Sequence, residues 1–266
     1  MAAKEPGETT PALVLKRQDF SENSQIARLM TRTRGKASVL AKGIRKPNPE
    51  LLGAFDLAQL GEATIRWRKG DSLHLVTRWR VVTGFPGLRN ELGRFYAACH
   101  VTEVLCEGHR DLDPDTAAFD LAVETLAALE IADPSAVPAV TARFDLRWLA
   151  GAGFAPVLDG CAVCAKPAPP KASVKISPGR GGIVCGDCLG GTTPGLIPLA
   201  SAGRRFLLAA RDASAADALG LSVAATDVIA VRRVLDAALE HVMEKELKSA
   251  RFLREIDVQR ASDALV

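Results

Sequence analysis

Aromatic residues are scarce in this chain of 266 residues, which holds one tyrosine, three tryptophans and nine phenylalanines. An interface built on a long row of stacked rings is therefore excluded. Histidine is rarer still, with four in all, so acid–base chemistry has little to draw on. The motifs of several enzyme classes are missing: no phosphate-binding loop, no H-E-x-x-H, no G-x-S-x-G and no dinucleotide fingerprint. We expect no enzyme. No apolar run approaches the roughly eighteen residues of a membrane span, and the opening Met1–Glu8 is polar where a signal peptide would be apolar. The six cysteines form no disulfide-like framework, which makes the cytoplasm the expected compartment.

What the cysteines do form is a pair of knuckles. Cys161-Ala162-Val163-Cys164 is followed by Cys185-Gly186-Asp187-Cys188, and each C-x-x-C offers two thiolates from one tight turn. That spacing suits a tetrahedral zinc ion, and four thiolates leave no open position, so the metal is expected to be structural. The intervening Ala165–Val184 is rich in Pro, Gly, Lys and Ser. Its few apolar side chains suggest that the metal supplies the free energy of folding there. A redox pair or two disulfides would use the same residues, though no βαβ unit precedes Cys161. Cys99 and Cys106 share a helical face with Leu92, Phe95, Tyr96 and Thr102 between Leu88 and Gly108, and read as small core residues. His100 and His109 read as ordinary surface or packing histidines.

Charge is distributed unevenly. Residues 1–82 carry 15 Lys and Arg against 8 Asp and Glu, a net of +7, while the remainder carries 19 against 23, a net of −4. A basic first third suits a polyanion. That third reads as five short strands: Ala12–Lys16, Ser24–Thr31, Lys36–Lys42, Gly61–Trp67 and Leu73–Val82, with a long connection at Gly43–Asp56 and a turn at Lys69-Gly70-Asp71. A five-stranded barrel of the OB type fits, and an SH3-like barrel fits almost as well. Basic decoration favours OB. Its candidate contacts with nucleic acid are Arg34, Lys36, Lys42, Arg45, Lys46, Arg66, Arg68 and Lys69, with Arg28 and Arg32 nearby. Phe20, Phe55, Trp67 and Trp79 are the available base platforms, and most of them read as core plugs, so binding is expected to be dominated by the backbone.

From Phe85 the chain reads as helices, giving an α+β chain of several parts. The expected layout is a flexible tail over 1–10, the barrel over 11–83, a helical bundle over 84–253 with a zinc-ribbon-like loop inserted at 161–188, and a second tail over 254–266. Asp113 is expected to cap a helix that has Pro114 at its first position and runs to Ile131, and Asp133-Pro134 to cap the next, ending near Gly151. Further helices are expected at Ser201–Ala210, near Ala215 and at Thr226–Glu246. Arg204 and Arg205 would extend the basic track. An RNA-binding factor with a zinc ribbon remains an alternative, as does a thiol–disulfide oxidoreductase.

Several segments together resemble the recombination mediator family RecO. They are Gly35-Lys36-Ala37-Ser38-Val39-Leu40-Ala41-Lys42-Gly43 with Arg45, Leu149–Asp159 running into Cys161, Ser177-Pro178 with Gly181-Gly182 before Cys185, and Leu247-Lys248-Ser249 with Phe252-Leu253. The likeness spans Ala12 to Leu253 in order. It implies a protein of DNA repair that binds single- and double-stranded DNA and anneals complementary strands. It also implies work with RecR to load RecA onto strands coated by single-stranded-DNA-binding protein (SSB), and contact with the acidic tail of SSB. One structural zinc ion is implied, and no catalytic residue.

Overall fold

Alternating apolar and polar residues in the first third become strands whose inward positions are mostly small. The computed structural model describes residues 7–47, 49–70, 73–190 and 195–263. Those residues form two compact units that interleave along the chain. The first runs to Asn90 and adds Val101–Glu130; the second takes Glu91–His100 and everything from Ile131.

In the first unit the strands are β1 (Glu8–Ser21), β2 (Ser24–Thr31), β3 (Gly35–Ala41), the two-residue β4 (Leu51–Leu52), β5 (Leu60–Arg66) and β6 (Leu73–Thr83). The order is β3-β2-β1-β5-β6, and a parallel β3–β6 pairing closes the ring. All other pairings among these five are antiparallel. This is the mixed five-stranded Greek-key barrel of the OB type. Ala12, Ala27, Ala37, Ala41 and Ala63 line its interior, leaving room that Trp79 and Phe55 fill edge to face at 5.0 Å. Both rings are core plugs, as expected. Gly61 is needed beneath the Trp79 indole, because a Cβ there would lie 2.6 Å from its Cη2.

Two expected tails are corrected. Glu8, Thr9 and Thr10 belong to β1, paired with Ile65, Thr64 and Ala63 of β5. At the other end, residues 254–263 continue a helix. Met1–Pro6, Asp71 of the expected turn and residues 264–266 lie outside the described residues.

The helices are α1 (Leu92–Gly108), α2 (Thr116–Ile131) and α3 (Val137–Gly151), then α4 (Ser201–Asp212), α5 (Ala215–Ala218), α6 (Ala225–Met243) and α7 (Lys248–Asp263). A small sheet lies between α3 and α4, with β7 (Val174–Ser177) flanked by β8 (Gly182–Ile183) and β9 (Ile197–Leu199). None of these helices is long and apolar enough to cross a membrane.

The expected inner face of α1 is wrong. Leu92 is 61% exposed, and Phe95, Tyr96, Cys99 and Cys106 are only half-buried. Ala97, Ala98, His100, Val101, Val104 and Leu105 are buried in their place, with Thr102 alone of the expected set. The cap of α2 is Asp115, whose Oδ1 accepts from the Ala118 amide at 2.8 Å. Asp113 sits two residues too early to reach that turn.

Candidate metal centre and nucleic-acid interface

The metal centre lies wholly in the second unit. Cys161 opens a turn in which its carbonyl accepts from the Ala165 amide at 2.9 Å and its own amide donates to the Lys166 carbonyl at 2.9 Å. Cys185 and Cys188 flank a single 3₁₀ turn, Gly186–Cys188, closed by Cys188 N–H donating to Cys185 O at 3.1 Å. The four Sγ atoms lie within 4.8 Å of one another, and Cys164 and Cys185 are 3.7 Å apart. Four thiolates about 2.3 Å from one ion have edges of roughly 3.8 Å, so the cluster has the size of a four-thiolate metal site. All four cysteines are free.

The chemistry of the donors agrees. Cys161 is buried and accepts from the Cys185 amide at 3.4 Å. Backbone donors from Cys185 and then Cys164 bring its thiol down to about 6. Hydrogen bonding to Cys164 and then Cys185 pushes the Cys188 thiol up to about 12. Sulfurs packed this closely need a cation among them before all can ionise. Lys166 and Asp187 pair across the two knuckles at 3.2 Å on the exposed side.

The loop between the knuckles holds more shape than its composition suggests. Val174, Ile176 and Ile183 are buried in one apolar cluster with Leu146, Leu158, Leu199, Phe206, Val231 and Val234. Val157 pairs alongside, its amide donating to Gly181 O at 2.8 Å and its carbonyl accepting from the Ile183 amide at 2.9 Å. Gly182, at φ +152°, leaves no room for a side chain, because a Cβ would stand 2.4 Å from the Val157 oxygen. The loop thus has more apolar anchoring than its composition led us to expect, with four buried apolar residues, Val184 included.

On the barrel, burial and ion pairing sort the expected cationic contacts. Lys36 is 5% exposed. Its ammonium donates to the Cys106 carbonyl at the end of α1 and lies 3.5 Å from Asp111. A lysine held there cannot reach a phosphate. In the second unit Arg204 is also 5% exposed, and its guanidinium donates to the carbonyls of Leu158, Pro169 and Ala168 at 2.8, 2.8 and 3.3 Å. Both charged groups are thus turned inward, onto backbone carbonyls. Arg205 beside it is exposed.

Other cations are engaged by acids. Arg28 pairs with Asp111 at 3.1 Å and Arg32 with Asp120 at 2.9 Å. Hydrogen bonding to Asp120 raises the Arg32 guanidinium further and holds the Asp120 carboxyl below its usual range. Arg34 donates to Glu8, Arg45 to Asp19 and Arg78 to Glu50. Among the described residues, Lys16, Lys42, Lys46, Lys69 and Arg80 are exposed without an ion-pair partner. Arg68 is exposed and Arg66 half-buried. Lys16 and Arg80 were missed; the alternation Arg78-Trp79-Arg80 was the signal for the second. Of the candidate platforms, Phe20 is 62% exposed and Trp67 half-buried.

Fold and cluster together define a class: a small OB-type barrel followed by a helical region that carries a four-cysteine knuckle in a β-hairpin insert. The sequence matches the family profile for the N terminal part of recombination protein O over residues 7–85 and that for its C terminal part over residues 89–251. It is 36% identical over 244 residues to the DNA repair protein RecO of Anaeromyxobacter dehalogenans, spanning 92% of this chain and 94% of that one. The corresponding protein of Moorella thermoacetica is 28% identical over 253 residues, spanning 92% and 89%. That of Rhodopirellula baltica is 34% identical over 179 residues, spanning 66% and 65%. The chain belongs to the recombination protein O family, the RecO proteins of DNA repair.

Proposed function

We propose that this chain binds single- and double-stranded DNA through the exposed cations of its barrel and anneals complementary strands. With RecR, and in contact with the SSB tail, it helps load RecA onto SSB-coated strands. The work is binding rather than catalysis, and it is done in the cytoplasm. One zinc ion, held by Cys161, Cys164, Cys185 and Cys188, fixes the shape of the insert.

The observation that carries this reading is the set of exposed cations on the loop after β3 and the β5–β6 turn, Lys42, Lys46, Arg68 and Lys69. Arg45 lies in the first of these segments, Arg66 ends β5 beside the second, and Arg34 sits in the β2–β3 turn. Annealing requires the repulsion of two backbones to be screened while their bases stay free to pair. Lysines on mobile stems do this by displacing condensed counterions, and affinity then falls by about 0.7 log units per log unit of salt for each phosphate contacted on a single strand. Replacing Lys42, Lys46 and Lys69 together by Glu should weaken binding to single strands and flatten the salt dependence by about two log units per log unit. Fluorescence-monitored annealing of SSB-coated complementary oligonucleotides, with and without RecR, reads the activity. Unchanged binding and annealing in the triple variant would remove these residues from the interface.

A further inference from the structure

A cavity of about 450 Å³ opens at one end of the barrel, within the roughly 300–1,000 Å³ of small-ligand sites. Its walls come from four places in the first unit: Glu8 at the start of β1, Arg34 from the β2–β3 turn, Trp67, Arg68, Lys69 and His74 around the β5–β6 turn, and Leu112 from the connection between α1 and α2. The Arg34 guanidinium lies 5.0 Å from the centre of the Trp67 ring. Glu8 fixes it there, accepting from Nε at 2.6 Å. The His74 ring packs edge to face with the indole, their centres 4.9 Å apart, and its Nδ1 accepts from the Arg68 amide at 3.2 Å.

We propose that this cavity receives one unpaired base of a DNA strand, stacked on the guanidinium–indole pair, with Arg68 and Lys69 on the flanking phosphates. The inference rests on the DNA-binding reading above and goes beyond it, since it puts one base-reading position on a surface otherwise suited to backbones.

Two features select this ligand. The Arg34 side chain is half-exposed, at 52%, and a planar guanidinium beside an indole offers a second π system a surface to stack on. The Glu8 carboxylate in the wall disfavours a small bare anion such as phosphate, whereas a base brings no charge of its own to that side. A duplex keeps its bases stacked and cannot insert one without unstacking. The site therefore distinguishes single strands from duplex.

Tryptophan fluorescence reads the proposal directly. Trp79 and Trp148 are 0% and 5% exposed, which leaves Trp67 as the ring a ligand can touch. Titration with oligothymidylate should quench the emission of the protein, and Trp67→Phe should abolish that quenching. Trp67→Ala should weaken single-strand binding about five- to a hundred-fold and leave binding of a blunt duplex of equal length within about two-fold. Arg34→Lys keeps the charge but loses the plane, and should repeat the pattern in milder form, which guards against a folding defect at Trp67. Quenching that persists in Trp67→Phe, or equal losses on single strand and duplex in both other variants, overturns the base pocket while the DNA-binding reading stands. Failure of the unaltered protein to bind either nucleic acid overturns both.

Discussion

Arg204 donates to three carbonyl oxygens, those of Leu158, Ala168 and Pro169, the last of which also accepts from the Ala172 amide. Those carbonyls belong to the segments on either side of the first knuckle, so one arginine of α4 holds the approach to the metal centre. Hydrogen bonds to charged groups contribute about 1.5–3 kcal/mol each, and a buried acceptor left bare costs its desolvation. Arg204→Ala should lower unfolding stability by about 3 kcal/mol, read as a lower urea midpoint. Its DNA affinity at fixed salt should match that of the unaltered protein. A loss of affinity with stability intact would return Arg204 to the nucleic-acid surface. Lys36 makes the same point in the barrel. Both positions are plain basic residues in sequence, and their destinations depend on carbonyls contributed by distant segments.

At the level of elements, the strands were the most readable part. β2 was placed with both ends correct, because Ile26, Arg28 and Met30 alternate with Ala27 and Leu29 between clear turn signals. β1 was read too short: Glu8–Thr10 are polar yet paired, and a strand's hydrogen bonds do not need apolar side chains. α1 failed for a different reason. Its buried face is made of Ala97, Ala98, Val101 and Val104, while its larger rings stay half-exposed and Tyr96 stacks on Phe252 at 4.8 Å. Close packing between helices favours small residues, and a periodicity weighted by size then points outward. The knuckles were fully legible, since ligand type and spacing are local. The core beneath them was not, because four apolar residues spread over a Pro- and Gly-rich loop give no periodic signal.

That core predicts what removing the metal will do. Small zinc modules unfold without their ion, but here β7 and β8 rest on the apolar cluster shared with α3, α4 and α6. Chelation should release the ion, measurable by elemental analysis, and lower the melting temperature by roughly 5–10 °C. The helical circular dichroism signal below that temperature should survive. Complete loss of the cooperative transition would mean that the metal, not the hairpin, holds the insert.

At the scale of the whole molecule, a buried ionic network ties four helices of the second unit. His100 of α1 bonds Asp145 of α3 at 2.8 Å and Ser249 of α7 at 3.2 Å. Arg232 of α6 lies 3.6 Å from Asp145 and 3.2 Å from Asp257 of α7, and Asp236 accepts from Arg254 at 2.8 Å. Such pairs fix which helices may meet more than they add to stability. Burial lifts the Asp236 carboxyl above its ordinary 3.8, against the pull of Arg232 and His100. A raised carboxyl in the folded state means that the folded form holds the proton more tightly than the unfolded chain. The stabilisation is complete below the ordinary value and is lost as pH rises through the raised one. Asp236→Asn removes this titration, so its melting temperature relative to the unaltered protein should climb as pH rises through that window. A difference independent of pH would show that Asp236 does not titrate there.

The interleaving of the two units bears on synthesis. As the ribosome delivers the chain, the barrel strands emerge first, yet Lys36, Arg28 and Arg32 find their partners only after residues 106, 111 and 120 in turn have cleared the exit tunnel. His100 must wait longer, for a serine at position 249. The nascent barrel thus meets solvent with three cations uncompensated, at the moment when messenger and ribosomal RNA are the nearest polyanions. Ordered growth of the polypeptide becomes part of how its charge is brought to the final distribution.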